Sequence, residues 1–500
     1  MRNIVRQLRP RPKLFGLPLV GFLLVLAMVV GVMSYFPRQA AHAAASGWTT
    51  FLGSNARTGY DAAETTINTT TAPNLNLHWT FSTPFHAQIT AEVMAANGML
   101  YWGSWDGVLH ASNPATGKDV WKTSLATRPG GCSKRPKGVI SSVTVATVPI
   151  NGTPTSVVFV GSGPATLYAL DALNGTIYWQ TILSSDPASF IYSSTALYQG
   201  SIYVGVASTG DCPLVQAEVA RLDASTGVIQ NAFKTVPDGG CIGASVWGSP
   251  AIDEQAGKIY FGTGNVNHKS CTLPMPLGDS LIELNAADLT KVASWPLPKG
   301  ERGQDTDYGS NPTLFQATIN GVSHAMVGIV NKNGYYYALD RTNIKAGPLW
   351  NVRLSVGGAE PSKNATIAAG AFDGTNLYVA GSLTMIDDPK CVSTPGSLRA
   401  LDPSTGAILW EDCLTGPLLA PVVAVPGLLI VGVGNTMIVV DSSTGNTLYS
   451  YQDTLLNGNF WGAALISNGV LYEGSRSGTM FAFGLWGAFY QTITRPYSQK

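Results

Sequence analysis

Short runs of mainly apolar residues repeat along most of the chain. Met99–Gly103 is one such run, Val108–Ala111 is the next, and glycine-containing turns separate them. Apolar runs of this length bounded by turn residues predict β-strands joined by tight turns. The composition agrees, since 55 of the 500 residues are glycine and only 12% are charged. The sequence therefore predicts an all-β protein.

A turn-and-aromatic pattern, Asp-x-x-Thr-Gly-x-x-x-Trp, follows these strands at regular intervals. Its clear copies are Asn113–Gly117 with Trp121, Asp171–Gly175 with Trp179, Asp402–Gly406 with Trp410, and Asp441–Gly445 with Tyr449; a weaker copy is Asp223–Gly227 with Asn231, and looser ones end at Trp295 and Trp350. The acidic or amide side chain bonds the turn's own backbone, and glycine takes the positive φ that a tight reversal needs. Self-similarity at this period predicts a repeat architecture.

The repeats count to eight, and the last one lacks an outer strand. Its three inner strands lie between Phe460 and Phe483, with no turn-and-aromatic copy after them. The segment Leu75–Trp79 has the outer-strand pattern but no inner strands before it, so we expect it to complete the last repeat and leave no open sheet edge. The prediction is an eight-bladed β-propeller in which Trp121, Trp179 and Trp410 are wedges between blades. Seven blades remain an alternative if one weak copy is an insertion.

The N-terminal residues predict export. Five cationic residues precede an apolar run from Leu14 to Phe36, and Ala41-His42-Ala43 then fits a small-x-small cleavage site. Because the apolar run is nearly long enough to span a bilayer, residues 1–45 are either a cleaved signal peptide or a membrane anchor. We expect the propeller to span 46–485, with a C-terminal tail at 486–500. The protein is then secreted or periplasmic.

Charge and cysteine content exclude some functions. Basic and acidic residues number 30 each, but six of the basic ones precede residue 46, so no basic face remains for nucleic acid. No cysteine lies in a C-x-x-C or C-x-x-C-H pattern, which argues against a zinc ribbon or covalent haem. Hairpin spans favour the disulfides Cys391–Cys413 and Cys241–Cys271, which leaves Cys132 with Cys212. Other connectivities stay open.

The repeat resembles that of the quinoprotein alcohol dehydrogenases that use pyrroloquinoline quinone (PQQ). The resemblance runs from about Leu75 to Phe483. It implies a quinoprotein-type propeller closed by the N-terminal outer strand. Non-enzymatic scaffold propellers of bacterial envelopes share this repeat, so the central motifs must discriminate between the two.

Two central motifs resemble the cofactor floor and a metal ligand of that family. Gly243–Pro250 contains Trp247, which corresponds to the tryptophan beneath PQQ. A core aromatic is the alternative interpretation. Gly262–Asn265 places Asn265 where the family has an amide ligand of calcium, and an ordinary Gly-Asn turn is the alternative.

Two further motifs resemble the family's catalytic segments. Asp305–Pro312 is similar to the acidic motif of polyvinyl alcohol dehydrogenases, in which an aspartate accepts the alcohol proton beside calcium. Asp307 is the favoured base and a metal ligand, and Asp305 is the alternative base, because other members of the family space this motif differently. Asn331–Arg341 matches the segment N-x-[RK]-N-G-Y-F-Y-x-L-D-R most closely, and it implies that Lys332 reaches the quinone oxygens. A solvated turn lysine is the other interpretation.

Two further positions resemble cofactor-binding and metal-binding residues of the family, but their motifs are less specific than the four above. In Cys132–Gly138 either Lys137 or Arg135 corresponds to the cation that binds a PQQ carboxylate. Many relatives have two adjacent cysteines here, whereas this chain has only Cys132. A bridge from Cys132 to Cys212 would bring Asp211 close to the calcium site, where the family has a glutamate.

The resemblance implies a PQQ- and calcium-dependent dehydrogenase of alcohols, with secondary or polymeric alcohols as candidate substrates. Hydride would pass to the quinone and the proton to an aspartate. Electrons would leave to an external acceptor such as a cytochrome c. The alternative is a non-catalytic envelope scaffold that binds other macromolecules. A hydrolase is remote, because the chain has no G-x-S-x-G or H-E-x-x-H motif.

Overall fold

Eight antiparallel sheets make up the fold, one for each predicted repeat. The structure is a computed structural model that describes residues 48–129, 136–238, 241–266, 277–303, 305–360 and 363–485. We number the sheets as blades 1 to 8 in chain order and name their strands A to D. The A strands of successive blades lie beside one another and therefore surround the centre. The eight-bladed prediction is confirmed, and the seven-bladed alternative is wrong.

Blades 1 to 4 each present four strands in the order A to D. Blade 1 contains Met94–Ala96, Met99–Gly103, Val108–Ser112 and Asp119–Ser124. Blade 2 contains Thr144–Ile150, Thr153–Ser162, Thr166–Asp171 and Ile177–Ile182. Blade 3 contains Ala196–Tyr198, Ser201–Ser208, Glu218–Asp223 and Ile229–Lys234, and the short strand Ser189–Phe190 also pairs with its B strand. Blade 4 contains Ala251–Asp253, Lys258–Gly262, Ser280–Asn285 and Lys291–Pro296.

Blades 5 to 8 follow the same order. Blade 5 contains Thr313–Ile319, Val322–Val330, Tyr335–Asp340 and Pro348–Arg353. Blade 6 contains Ala371–Phe372, Leu377–Ser382, Gly396–Leu401 and Ile408–Leu414. Blade 7 contains Val423–Val425, Leu428–Val433, Thr436–Asp441 and Thr447–Gln452. Blade 8 contains Leu465–Ser467, Val470–Gly474, Thr479–Gly484 and Asn76–Ser82. Outside the blades lie a ribbon of Arg128–Pro129 with Pro136–Lys137 and the 3₁₀ turns Phe51–Gly53, Ala72–Asn74, Pro84–His86, Lys299–Glu301 and Ile344–Ala346.

The first long strand of the chain closes the ring. Asn76–Ser82 pairs antiparallel with Thr479–Gly484, with Asn76 opposite Gly484 and Ser82 opposite Thr479. This pairing covers the edge that blade 8 would otherwise expose. The predicted closure by the N-terminal outer strand is confirmed.

The repeated tryptophan and glycine contact each other across blade boundaries. The indole N–H of Trp121 donates to the carbonyl of Ala172 in the next blade's turn, at 3.0 Å. A Cβ placed on Gly175 of that turn would lie 2.5 Å from the Trp121 ring. Equivalent contacts join Trp79 to Gly117, Trp179 to Gly227, Trp350 to Gly406, and Trp410 to Gly445. The tryptophans are therefore wedges between blades, as predicted.

The segment 48–61 crosses the A strands at the centre, which the sequence analysis did not predict. Carbonyls of Trp48, Thr49, Asn55, Ala56, Thr58 and Gly59 accept hydrogen bonds from A-strand N–H groups of Ala95, Val145, Ile252, Leu314, Phe372 and Ala424. The fully buried Arg57 donates to the carbonyls of Thr195 at 3.1 Å and Pro250 at 2.9 Å. This crossing segment (48–61) therefore ties together seven blades.

The structure bears on one of the predicted disulfides in full and on the other two in part. The disulfide Cys391–Cys413 is present and links strand D of blade 6 to the loop before strand C. Cys212 and Cys241 are both disulfide-bonded, while their expected partners Cys132 and Cys271 lie outside the described residues. Residues 1–45 and 486–500 also lie outside them. Within the described ranges, no helix is long and apolar enough to cross a membrane.

Candidate active site

A cavity of about 460 Å³, which we call the funnel, lies over the centre of the propeller. Its walls come from the loops between B and C strands and from the connections between blades. Because the strands of each blade run antiparallel, the loops between B and C strands and the connections between blades lie on the same face of the propeller. Phe51 of the crossing segment also lines the cavity, so that segment closes it from below.

Trp247 lies in the funnel wall at the connection into blade 4. A Cβ on Gly309 would lie 2.2 Å from the Trp247 ring, so only glycine allows the indole to pack against this backbone. The indole N–H donates to Asp307 Oδ2 at 3.2 Å. The ammonium of Lys332 lies 5.2 Å from the ring centroid, which is cation–π range. Trp247 is thus fixed in place and still borders the cavity.

Asp305, Asp307 and Lys332 form one ion cluster, which brings the two predicted motifs together. Lys332 Nζ lies 2.8 Å from Asp305 Oδ1 and 3.0 Å from Asp307 Oδ2. The backbone supports this geometry, because the N–H of Lys332 donates to the carbonyl of Asp307 at 3.0 Å. Asp307 and Lys332 line the funnel, whereas Asp305 is not among the described lining residues. Of the two carboxylates, Asp307 is therefore the one that borders the cavity.

Burial and mutual charge set the protonation of this cluster. The pKa of Asp305 is raised by burial and by the charge of Asp307, although Lys332 opposes both effects. Burial alone would lower the pKa of Lys332, but the two carboxylates outweigh it and the pKa is raised. Lys332 therefore stays cationic at neutral pH.

Oxygen donors gather beside Asp307. The backbone N–H of Asn265 donates to Asp307 Oδ1 at 2.7 Å, and the Asn265 side-chain amide lies 3.4 Å from Asp211 Oδ2. A Cβ on Gly264 would come within 3.0 Å of Asp307 Oδ1, so glycine is needed for this close approach. The three predicted metal ligands thus line one side of the funnel.

Lys137 reaches the funnel from the connection into blade 2. Its ammonium donates to Tyr192 Oη at 2.7 Å and to the Thr209 carbonyl at 3.1 Å. Burial lowers its pKa. Trp105 lies beneath the ammonium at 5.7 Å. Arg135, the alternative cation, lies outside the described residues.

Sequence reasoning missed Asp279, which precedes strand C of blade 4. Its Oδ1 is buried with no hydrogen-bond partner among the described residues. Burial and the charge of Asp307 raise its pKa to about 7. The only indication of Asp279 in the sequence was that an acidic residue stands at the end of an insertion between strands. Asp279 adds a third carboxyl group to the electrostatics of the cluster.

Trp105 and Trp461 also line the funnel and were not predicted. Each follows a strand or turn without any motif around it. Only the folded ring brings these two residues, from blade 1 and the connection into blade 8, to the same cavity.

A serine–histidine–aspartate arrangement exists in blade 1, away from the funnel. His110 Nδ1 lies 2.9 Å from Asp119 Oδ1, and Ser104 Oγ lies 3.4 Å from His110 Nε2. Both Ser104 and His110 are buried, and the imidazole stacks on Trp102 at 3.9 Å. No substrate can reach this hydroxyl, so the arrangement stabilises the blade.

Comparison with known proteins relates the chain to two groups. A PQQ-repeat family model, described as outer membrane protein assembly factor BamB, matches residues 105–267 and 332–484. A polyvinylalcohol dehydrogenase of Sphingopyxis sp. (strain 113P3) is 27% identical over 385 residues, which cover 68% of this chain and 55% of that protein. BamB of Yersinia pestis is 24% identical over 387 residues, covering 75% of this chain and 80% of that protein. The chain spans about half the length of the dehydrogenases it matches.

A solved structure supports the fold. The quinohemoprotein alcohol dehydrogenase of Comamonas testosteroni superposes with a TM-score of 0.69 at 18% identity. The superposition covers 89% of this chain and 81% of that one. The propeller is therefore of the quinoprotein type.

Proposed function

The chain belongs to the PQQ-repeat propeller family, and from that premise we propose that it is a PQQ- and calcium-dependent alcohol dehydrogenase. The observation that carries the proposal is the meeting of Trp247, Asp307 and Lys332 in one cavity. A flat aromatic surface, a carboxylate and a buried cation are the groups that a planar quinone and an alcohol require. A propeller that served only as a scaffold would have no need to keep them together.

The funnel fits PQQ in size and in chemistry. Its volume of about 460 Å³ lies within the range of ~300–1,000 Å³ usual for small-molecule sites. Trp247 would contact the ring plane, and Lys332 would stabilise charge on the quinone oxygens. Lys137, with Arg135 as the alternative, would bind a carboxylate of the cofactor.

The donor set beside Asp307 fits a hard cation. Asp307, Asn265 and Asp211 supply carboxylate and amide oxygens, which calcium prefers. Several donors from different loops suit a large ion with flexible coordination. We therefore assign these three residues as the calcium ligands.

Within this site the chain's own groups bind the alcohol and move its proton. When bound, PQQ supplies the hydride acceptor and calcium supplies Lewis acidity. Asp307 accepts the hydroxyl proton, and the Asn265 N–H and the Trp247 indole hold its two oxygens in place. Lys332 lies 3.0 Å from the same carboxylate and places a positive charge beside it.

The wider assignment follows from the same proposal. The substrates are alcohols, with secondary and polymeric ones as the candidates, and electrons pass to an external acceptor such as a cytochrome c. Export places the enzyme in the periplasm or outside the cell, with residues 1–45 as signal peptide or membrane anchor. The propeller then extends over 46–485 and the tail over 486–500.

A non-catalytic envelope scaffold is the second candidate. It is favoured by the similarity to BamB of Yersinia pestis, of which the match covers 80%. The single cysteine at 132, where many dehydrogenases have an adjacent pair, points the same way. The two candidates differ in whether the funnel binds a quinone.

Turnover by reconstituted protein tests the proposal. Protein loaded with PQQ and calcium is expected to reduce a dye acceptor with secondary alcohols, and a chelator should abolish the rate. Asp307→Asn should lower kcat by ~10²–10⁴-fold, the usual contribution of a general base. Asp238→Asn, at an exposed site on blade 3, is the control. Full activity of Asp307→Asn would refute the assignment of the base.

A further inference from the structure

The connections that lead into the A strands line the funnel at equivalent positions. Trp247 stands four residues before the A strand of blade 4, and Ile367, Leu419 and Trp461 stand four residues before the A strands of blades 6, 7 and 8. All four side chains border the funnel. Because Trp247 precedes blade 4 and Trp461 precedes blade 8, the two indoles lie on opposite sides of the eight-bladed ring.

The two halves of the funnel differ in chemistry. The connections into blades 2 to 5 supply polar and charged side chains, among them Lys137, Tyr192, Ser249 and Asp307. Every described residue that the connections into blades 6, 7 and 8 contribute is apolar. We call five of these residues the apolar wall: Ile367, Leu419, Pro421, Trp461 and Ala463. Their only polar side-chain atom is the indole nitrogen of Trp461.

The apolar wall begins directly beside the ion cluster. A Cβ on Gly309 would lie 2.2 Å from the Trp247 ring and 3.1 Å from Ile367 Cγ2, so both side chains pack on the same backbone. Gly309 follows Asp307 by two residues. An alcohol whose hydroxyl group meets Asp307 therefore has Ile367 as an apolar neighbour, and its carbon chain can extend along the wall.

Trp461 is held in place at the far end of the wall. The Arg476 guanidinium lies 3.7 Å from the centroid of the Trp461 ring, which is cation–π range. Arg476 is itself fixed, because its Nε donates to Gln88 Oε1 at 3.0 Å and its backbone N–H donates to the Asn459 carbonyl at 2.9 Å. Trp461 is half-buried, so the part of the indole that Arg476 leaves uncovered borders the funnel.

An apolar wall discriminates between alcohols by their number of hydroxyl groups. A hydroxyl group placed against aliphatic and aromatic carbon loses its hydrogen bonds to water and gains no partner. A methyl or methylene group at the same place is stabilised by leaving water. The wall therefore favours a molecule with one hydroxyl group and an apolar carbon body, and it disfavours a polyol.

We propose that the apolar wall binds the carbon body of the alcohol and makes the protein specific for monomeric alcohols with a single hydroxyl group. Trp461 and Ile367 are the specificity-determining residues, and neither takes part in the chemistry. This inference rests on the proposed function and narrows its substrates, since polyols are then poor ones.

A matched pair of alcohols tests the wall in the holoenzyme. 2-Hexanol and 2,5-hexanediol share one carbon chain, and with a dye acceptor kcat/KM should be about 10–100-fold higher for 2-hexanol, the range in which an apolar pocket rejects an added hydroxyl group. Trp461→Ala should raise KM for 2-hexanol by about 5–30-fold through the lost apolar contact, while kcat and the KM for 2-propanol stay unchanged. Trp461→Phe should restore most of the difference.

Ile367→Thr is a second variant that decides the matter if Trp461→Ala does not fold. It keeps a β-branched side chain and adds one hydroxyl group to the wall, so it should lower the preference for 2-hexanol over the diol by ~3–10-fold. Leu173→Ser, at an exposed leucine in a turn on the opposite face, is the control and should change neither constant.

Binding of alcohols that cannot be oxidised separates this inference from the proposed function. Pinacol and the alcohol that lacks one of its two hydroxyl groups are both tertiary, so neither has a hydrogen to give as hydride. Calorimetry on the protein with and without PQQ should show tighter binding of the alcohol with one hydroxyl group, and Trp461→Ala and Ile367→Thr should each weaken this preference. Such binding without oxidation of any secondary alcohol would support the wall and refute the proposed oxidation. Equal kcat/KM for 2-hexanol and 2,5-hexanediol in the wild type would refute the wall and leave the dehydrogenase assignment standing.

Discussion

Replacing Lys332 by methionine tests the ion cluster without any cofactor. Lys332 lies 2.8 Å from Asp305 and 3.0 Å from Asp307, and the three side chains are only 11%, 21% and 10% exposed. Methionine keeps most of the volume and removes the charge. Two buried carboxylates then face each other with no cation between them.

The expected cost follows from this burial. Breaking a buried pair by removing one partner costs about 3–5 kcal/mol, because the remaining charge is uncompensated. Lys332 lowers the pKa of Asp305, so in the variant that pKa rises further above its unfolded value. A carboxyl group with a raised folded-state pKa binds its proton more tightly when folded, and stability then falls as pH rises. The loss should therefore be largest at pH 8 and smaller at pH 5.

Thermal and urea unfolding of the apo protein at both pH values measures this difference. Lys234→Met is the control, because Lys234 pairs with Asp238 on the exposed surface, and we expect no measurable change there at either pH. If the free energy of unfolding that Lys332→Met loses is the same at both pH values, the reasoning is refuted. It is also refuted if this loss is no larger than that of the control variant.

Two further predictions concern the crossing segment and the wedges. Burial raises the pKa of Glu92 to about 8, although its carboxylate accepts hydrogen bonds from Trp48 Nε1 and Leu52 N. The wild type should lose stability as pH rises from about 5 to 8, and Glu92→Gln should make that loss smaller, while the raised pKa values of Asp279 and Asp305 leave part of it. Equal losses of stability in the two proteins across this range would contradict the prediction. Trp121→Ala should lower the free energy of unfolding by about 2–4 kcal/mol and Trp121→Phe by less, since the phenyl ring still packs on Gly175. Equal losses in denaturant unfolding would show that the indole hydrogen bond, and not the packing, holds the blades together.

The propeller was predictable because its determinants are local and repeated. The glycine of each turn and the tryptophan of each outer strand recur at fixed spacing, and the structure joins them across blades, as Trp121 and Gly175 illustrate. Closure was predictable since Leu75–Trp79 had the outer pattern with no inner strands before it. The crossing segment 48–61 was not, because it has no periodicity and its partners lie as far away in sequence as Ala424.

The site was predictable only where a motif carried it. Trp247, Asp307 and Lys332 each belong to a segment that resembles a family motif, and they meet in the funnel. Asp279 and Trp461 belong to none, and their approach depends on how loops of different blades converge. A sequence pattern shows which residues are neighbours along one strand far better than it shows which residues of different blades meet across the ring.

PQQ binding is the measurement that tests the central claim most directly. PQQ is titrated into the purified protein with calcium and then with chelator, while tryptophan fluorescence is followed. We predict saturable quenching at micromolar PQQ that requires calcium, is lost in Trp247→Ala and is retained in the wedge variant Trp179→Phe. No binding of PQQ in the presence of calcium would contradict the dehydrogenase assignment and leave a scaffold propeller.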